Sequence, residues 1–341
     1  RSPINIRKLI GVKKAFNPKG MGLFLRAYNE LNESDNILSK KDIDERCLYF
    51  FNWINEHYSC GYQGKGWGYH YDWPKSDRSF VPKDTPNSVV TAFNTRAVFN
   101  YYLVSGDEVA YNLIIEAKNF IINNTYKFES QEGVCFSYTP LKKDITINAS
   151  LLAAEVLAYS DSIQGKNEYQ SVIKSVLDFT AAHQNNNGSW YYSFNIDTKK
   201  PKKQIDFHQG YALDSIHILC KNSTIDFNDY RKNVLKGLDF YYSQQFEKTG
   251  QSLWRYPNKW PTDIHNQSQG IITFSRFSYL DEKYLDFAKQ IAVWTIDNMQ
   301  ANNGGFYYQK WRFFNNKFSY MRWNNAWMMV ALTTLLSKVE K

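Results

Sequence analysis

Gly66-Trp67-Gly68-Tyr69 and Gly188-Ser189-Trp190-Tyr191-Tyr192 are two copies of one device, a glycine followed at once by aromatic residues, and their recurrence decides the fold. Related stretches are Gly133-Val134-Cys135-Phe136-Ser137-Tyr138, the run from Gly250 through Trp254-Arg255-Tyr256-Pro257, and Gly304-Gly305-Phe306-Tyr307-Tyr308. The leading glycines stand at 66, 133, 188, 250 and 304, giving steps of 67, 55, 62 and 54 residues. Each step has room for two helices and two loops. A repeat of this length marks a modular architecture in which equivalent loops come to the same end of the molecule.

Between these loops the chain reads as helix almost throughout. The expected helices are 20–32, 41–57, 87–104, 108–123, 146–163, 169–184, 208–220, 228–245, 266–279, 282–300 and 324–336. Apolar residues such as Leu151, Leu152, Val156 and Leu157 fall at helical spacing. Cap-type residues precede several starts, as in Thr85-Pro86-Asn87 and Asp281-Glu282. Two helix kinds alternate. Val89–Val104, Ala149–Ala158, Gly270–Phe277 and Ala326–Leu336 are apolar on all sides, while Tyr111–Phe120, Tyr169–Phe179, Tyr230–Tyr242 and Tyr284–Trp294 carry one charged face. The first kind belongs inside and the second against solvent. The fold class expected is all-α, an (α/α)6 barrel (toroid) of alternating inner and outer helices, with residues 1–341 as one toroid domain and 1–18 as an N-terminal extension. Six inner and five outer helices can be counted, and Ile4–Val12 is a candidate for the sixth outer one. An open α-solenoid is the competing architecture.

Composition limits the function classes. Of the 341 residues 43% are hydrophobic and 17% aromatic, with 25 Tyr and 23 Phe. Surplus Tyr and Trp suits either a sugar-binding cavity or a Tyr-rich core. The net charge of +8 favours an anionic partner. The longest basic cluster, Lys199-Lys200-Pro201-Lys202-Lys203, reads as a solvated loop, so no nucleic-acid partner is expected. Cys47, Cys60, Cys135 and Cys220 show no CxxC spacing. Neither a disulfide framework nor a zinc site is implied, and a cytoplasmic location is expected. No apolar run approaches a membrane span, so membrane association would come through partners. A start at Arg1 suits a trimmed chain and leaves export open.

Polar residues that lead into inner helices should converge on one rim. They are Asp72, Trp73 and Arg78, then Asn148, Asp206 and His208, then Arg255, Asp263, His265 and Asn266, and finally Arg312, Tyr320, Arg322 and Asn324. Helix N-termini there add free N–H donors that suit carboxylate or phosphate. Asp206-Phe207-His208 and Asp263-Ile264-His265 stand 57 residues apart at matching points of successive repeats. Each reads either as an acid–base pair or as an Asp cap beside a His satisfied by backbone. No HExxH or similar spacing supports a metal site, and no cofactor is implied. Arg255, Arg312 and Arg322 are candidate anion clamps. Trp67, Trp73, Trp190, Trp254 and Trp323 are candidates for stacking on sugar rings or for plugging the rim. Tyr138 and Tyr320 are candidate proton donors.

The pattern resembles the (α/α) toroid superfolds: six-hairpin glycosidases, uronate-processing lyases and epimerases, and terpenoid cyclases. Lys236-Gly237-Leu238-Asp239-Phe240 with Gln244 resembles the first half of the cyclase QW repeat, and Gln184 with Gly188 and Trp190 its second half. Gln300 with Gly304 and Phe306 is a further copy. The cyclase DxDD acid motif is absent, so the repeat is read as structural, Gln bonding the next helix end and the aromatic stacking beneath it. A closer resemblance is to uncharacterised toroid proteins of bacterial exopolysaccharide and capsule gene clusters. It is carried by Trp67-Gly68-Tyr69 with Asp72-Trp73, Phe136 to Pro140 with Asn148 to Leu152, Gly188 to Tyr192, Asp206 to Gly210, and Tyr320 to Trp323 with Ala326-Trp327.

The resemblance implies a place in glycan biosynthesis and no known reaction; the reading adopted is a carbohydrate-active enzyme or modifier of bacterial surface polysaccharide. Its partner would be an acidic oligo- or polysaccharide or a lipid-linked precursor. Proton abstraction beside a uronate carboxylate, as in a lyase or C5-epimerase, fits Tyr, His, Asn and Arg at one rim. Hydrolysis is the second option, with Asp72, Asp206 and Asp263 as candidate carboxyls. The same toroid could also serve as a non-catalytic glycan-binding or assembly subunit, or as an isoprenoid cyclase-like protein.

Overall fold

The structure is a computed structural model that describes residues 11, 13–31, 37–74 and 80–339. Arg78 and most of the 4–12 candidate outer helix lie outside the described residues. Among the described residues eleven α-helices follow one another: α1 (Pro18–Leu31), α2 (Lys40–Glu56), α3 (Ser88–Ser105), α4 (Glu108–Asn124), α5 (Ile147–Gln164), α6 (Gln170–Ala182), α7 (His208–Lys221), α8 (Arg231–Gln244), α9 (Ile264–Arg276), α10 (Lys283–Met299) and α11 (Trp327–Val339). The odd-numbered helices pack in sequence as α1–α3–α5–α7–α9–α11, and α11 returns to α1, so the inner ring is closed. Each even-numbered helix lies outside its inner partner. This is the (α/α)6 barrel, with five outer helices among the described residues.

The burial pattern shows why the two helix kinds sort this way. In α5 every residue from Ile147 to Asp161 is buried, as is every residue of α3 from Ser88 to Phe99. α8 hides only Val234, Gly237, Leu238, Phe240 and Tyr241 and faces solvent with the rest. A buried ion pair bridges two helices inside the ring. Arg96 of α3 clasps Glu155 of α5, with bonds of 2.7 and 3.0 Å among them.

The glycine–aromatic loops are tied to the inner helices by one repeated hydrogen bond. A polar side chain near the start of an inner helix accepts a backbone N–H from the loop: Thr91 from Trp67 (3.1 Å), Ser150 from Phe136 (2.9 Å), Gln209 from Trp190 (3.0 Å) and Gln267 from Ser252 (2.7 Å). In the last repeat Asn325 accepts from Phe306 at 3.0 Å. The QW-like residues are structural, as expected. Gln184 donates to the Gly188 and Asn233 carbonyls, and a side chain at Gly237 would run into the Trp190 ring.

Short antiparallel ribbons decorate the rim. β1 (Trp73–Pro74) pairs with β2 (Phe80–Val81), and β3 (Lys127–Ser130) with β4 (Gly133–Phe136). β5 (Ile145–Thr146), β6 (Ser193–Phe194) and β7 (Pro201–Lys202) form one three-stranded sheet. β8 (Thr262–Asp263), β9 (Gln309–Lys310) and β10 (Asn315–Asn316) form another. Two features differ from the sequence reading. α9 begins at Ile264 rather than near 266, because the Asp263 side chain caps it. α11 is entered through a π-helical turn, Met321–Ala326.

Gly188 has φ +92°, and a Cβ there would sit 2.2 Å from the Lys236 carbonyl oxygen, whereas Gly304 at φ +82° faces open space. We predict that Gly304→Ala costs ~1 kcal/mol for the backbone conformation alone, while Gly188→Ala costs about 3 kcal/mol or more because the clash adds. Urea denaturation of the two variants checks this, and equal midpoints would contradict it.

Candidate active site

Within the ring, at the end where the inner helices begin, lies a cavity of about 350 Å³. Three nearly buried lining residues come from three inner helices: Lys19 of α1, Tyr211 of α7 and His265 of α9. Their exposures are 2%, 4% and 1%. They form a chain. Lys19 Nζ lies 3.5 Å from the Tyr211 hydroxyl, which is 2.6 Å from His265 Nε2. Phe207 stacks flat on the His265 ring at 4.0 Å, and Trp323 meets its edge. Burial, reinforced by Arg322 and, to the extent that they carry protons, by Lys19 and His208, pushes the His265 pKa well below the usual imidazole value. His265 is therefore neutral at neutral pH.

Nearer the mouth, His208 opens α7. Its Nδ1 is 2.5 Å from Asp206 Oδ1, and Asp206 also accepts from the His208 backbone N–H and from Gln204. Burial disfavours the Asp206 carboxylate, but His208 and these hydrogen bonds overcome it and hold its pKa below the ordinary value. With Nδ1 tied to Asp206, the Nε2 side of the His208 ring remains for the cavity. Asp206 thus fixes both ring orientation and tautomer.

Asp263–His265 does not repeat this arrangement. Asp263 caps α9 by accepting the His265 backbone N–H, and it also accepts from Trp323 Nε1 and Gln309. The imidazole goes to Tyr211 instead. The reason is phase: His208 is the first residue of its helix and His265 the second, a turn of ~100° about the axis. Burial raises the Asp263 pKa, and the Asp206 charge adds to it.

Arg322 lies across the cavity wall, its guanidinium over Tyr69 at 5.1 Å and Trp323 at 5.0 Å, and it donates to Tyr71. Arg255 stacks on Trp254 and approaches Asp206 Oδ2 at 3.7 Å. Trp73, Tyr138 and Asn148 complete the expected residues that line the cavity. Asn148 Oδ1 is buried with no hydrogen-bond partner among the described residues. Asn266 lines it as well, but as a strut, donating to the Leu253 and Trp254 carbonyls and accepting from Phe207.

Four expected site residues stand elsewhere. Asp72 is exposed and accepts the Lys83 N–H, tying off the β1–β2 ribbon. Trp190 is buried beneath its loop and donates to the Thr180 carbonyl. Asn324 is fully buried and donates to the carbonyls of Phe306 and Phe318. Tyr320 packs against Tyr308 and Phe318 at the start of the π-helical turn. Each has a structural partner in the loop framework that claims its polar or aromatic group. Arg312 is exposed beside Phe313 and is also outside the lining.

The sequence reading passed over Lys19, Tyr69, Tyr71, Tyr192, Tyr211 and Tyr308, all of which line the cavity. Two had a signal. Tyr211 stands three residues after His208 and shares its helix face. Lys19 is a cation in the first turn of an inner helix, where the dipole disfavours one. The remaining tyrosines could not be told from core or framework aromatics. Among the described residues no group of three or more His, Cys, Asp or Glu could hold a metal, and no helix is long and apolar enough to cross a membrane.

No protein-family model and no curated protein matches the sequence. Solved structures do match in fold. Cellobiose 2-epimerase from Bacillus thermoamylovorans superposes with a TM-score of 0.73 at 15% identity, covering 95% of this chain and 88% of that one. The GH76 α-mannanase of Bacteroides thetaiotaomicron gives 0.70 at 11%, covering 97% and 88%. The unsaturated glucuronyl hydrolase of Streptococcus agalactiae gives 0.64 at 15%, covering 94% and 81%. At these identities the likeness carries the fold.

The neutral His265 leaves a signature in stability. Its pKa is lower folded than unfolded, so the unfolded chain takes up a proton as pH falls through ~6.5 while the folded chain does not. The stability this contributes is full above that pH and is lost below it. His265→Gln should therefore show a flatter loss of stability between about pH 6.5 and 5 than the wild type, measured by urea denaturation across pH. Parallel slopes would contradict the assignment.

Proposed function

We propose that this protein is a carbohydrate-active enzyme that exchanges a carbon-bound proton next to a carboxylate or carbonyl group of an acidic sugar, as an epimerase or lyase does. The observation that carries the reading is the pairing, in one aromatic-walled cavity, of an imidazole backed by a carboxylate with a guanidinium stacked between rings. His208, oriented by Asp206, is the base. The Tyr211–His265 pair is placed to return a proton from deeper in the cavity. Arg322, aided by Arg255, holds the anionic group and stabilises the enolate-like charge that develops when the C–H bond breaks. Tyr69, Tyr71, Trp73, Tyr138 and Trp323 supply faces for sugar rings. The ring shared with a sugar epimerase and a glucuronyl hydrolase agrees with a sugar substrate. A setting in bacterial surface-polysaccharide biosynthesis belongs to the same proposal and is supported by the loop resemblance. So does an acidic polysaccharide or lipid-linked precursor as substrate, supported by the net charge of +8.

A hydrolase is the second reading. Asp206 and Asp263 share the cavity, and their environments push their pKa values in opposite directions, the usual division between acid and base. Against it, both oxygens of each carboxyl are already engaged within the protein.

Incubation with a uronate oligosaccharide in deuterated water separates the readings. We expect deuterium at a sugar carbon, detected by mass spectrometry, and a loss of at least about 100-fold in exchange for His208→Ala with binding retained. New reducing ends without deuterium would assign hydrolysis instead. In calorimetry, Arg322→Ala should weaken the acidic oligosaccharide by ~1.5–3 kcal/mol, the scale of a hydrogen bond to a charged group, and leave its neutral analogue unchanged. Equal affinity for both ligands, untouched by the substitution, would remove the acidic-sugar assignment.

A further inference from the structure

Lys19 has no part in the mechanism above, yet it lines the cavity and is almost fully buried. Its ammonium-bearing end is boxed by rings rather than by carboxylates, lying 3.9 Å from the centre of Phe93, 5.1 Å from Trp327 and 5.3 Å from Tyr211. Its one hydrogen bond among the described residues is the 3.5 Å contact with the Tyr211 hydroxyl. The charges that act on it are positive: Arg322 at the turn before α11 and Arg96 of α3, with neutral His265 behind Tyr211 on α9. A lysine needed only for stability would find a carboxylate or reach solvent. This one is 2% exposed and faces the space a substrate would fill.

We propose that Lys19 is a carbonyl-capture site, whose amine forms an imine with the aldehyde carbon of an open-chain reducing sugar held in the cavity. Desolvation among rings and a neighbouring guanidinium are the two arrangements that free a lysine amine for attack at neutral pH, and both are present. Burial first, then Arg322 and Arg96, drives the Lys19 pKa well below that of an ordinary lysine. The step balances without a co-reactant. The Nζ lone pair forms the C–N bond while the carbonyl π pair moves to oxygen. The carbinolamine then loses that oxygen as water, which carries away both amine hydrogens, and the Tyr211 hydroxyl relays one of them. The imine draws electrons from the neighbouring C–H bond and so acidifies the proton at the sugar's second carbon. The inference rests on the reading of the cavity as a sugar site and narrows its substrate to one with a free reducing end.

Reductive trapping on the full chain tests it. Glycolaldehyde, and separately D-glucuronate, is added with sodium cyanoborohydride at about pH 6.5 and at about pH 9.5, and adducts are mapped by peptide mass spectrometry after cleavage by a protease that ignores lysine. At the lower pH Lys19 should be alkylated at least about tenfold faster than any surface lysine, because surface amines are protonated there, whereas burial and the neighbouring guanidinium bias Lys19 towards its free amine. The advantage should shrink at the higher pH. Labelling of Lys19 no faster than the surface lysines at the lower pH would overturn the proposal. Because trapping is scored on the wild-type chain, it does not depend on a variant that folds; Lys19→Arg serves to confirm the peptide. Deuterium exchange without a Lys19 adduct would sink this inference and leave the proton-exchange reading standing. An adduct without exchange would do the reverse.

Discussion

Everything in this molecule hangs on a hydrogen bond from a loop backbone to the head of an inner helix. Thr91, Ser150, Gln209, Gln267 and Asn325 each hold the first aromatic stretch of a glycine-led loop by one N–H. Inside a helical barrel the loops have only short ribbons to satisfy their backbone, and an unpaired buried N–H costs ~1–3 kcal/mol. A polar side chain in the first or second turn of the inner helix meets that need and fixes where the loop crosses the helix end. Five repeats of the same bond bring five loops to one end. The cavity is what remains between them.

That construction explains a site rich in charge that is nonetheless buried. Helix N-termini project free N–H groups and a positive potential into the cavity. They offset the cost of desolvating Asp206 and Asp263, which accept the backbone N–H groups of His208 and His265. The same potential works against Lys19 and His265 and favours their neutral forms. Arg322 keeps its charge by lying between the faces of Tyr69 and Trp323, where a flat cation is tolerated without a carboxylate. The aromatic excess of the composition thus serves two ends: rings plug the outer framework, as Trp190 does, and rings insulate the charged groups within.

The fold was legible because its signals are local and repeated. Glycine followed by aromatics, and the contrast between α5 and α8, can be read without knowing what lies opposite. The rim was legible to the same depth, since Asp206, His208, Arg255, Asp263, His265 and Arg322 sit where a loop meets an inner helix and all line the cavity. What failed was anything that depends on angle. Asp206-Phe207-His208 and Asp263-Ile264-His265 look alike in sequence, but one residue of helical phase sends His265 to Tyr211 and leaves Asp263 as a cap. Asn324 and Tyr320 likewise lie at a helix head, where the π-helical turn redirects them. Lys19 escaped notice because its meaning comes from Phe93 and Trp327, which are 74 and 308 residues away in sequence.

The seam between α1 and α11 gives the chain a direction in time. Gly20 lies so close to Met321 and Arg322 that an added methyl group would touch both. Lys19 and Arg322 therefore share a cavity only across the join of the ring, and they leave the ribosome some three hundred residues apart. A nascent chain that has made five inner helices has an aromatic trough open along one side, with Lys19 lacking the Arg322 guanidinium. The pocket comes into being only when the last helix docks. A product of translation that stops before α11 carries Asp206, His208 and His265 but lacks Arg322 and the helix that closes the ring.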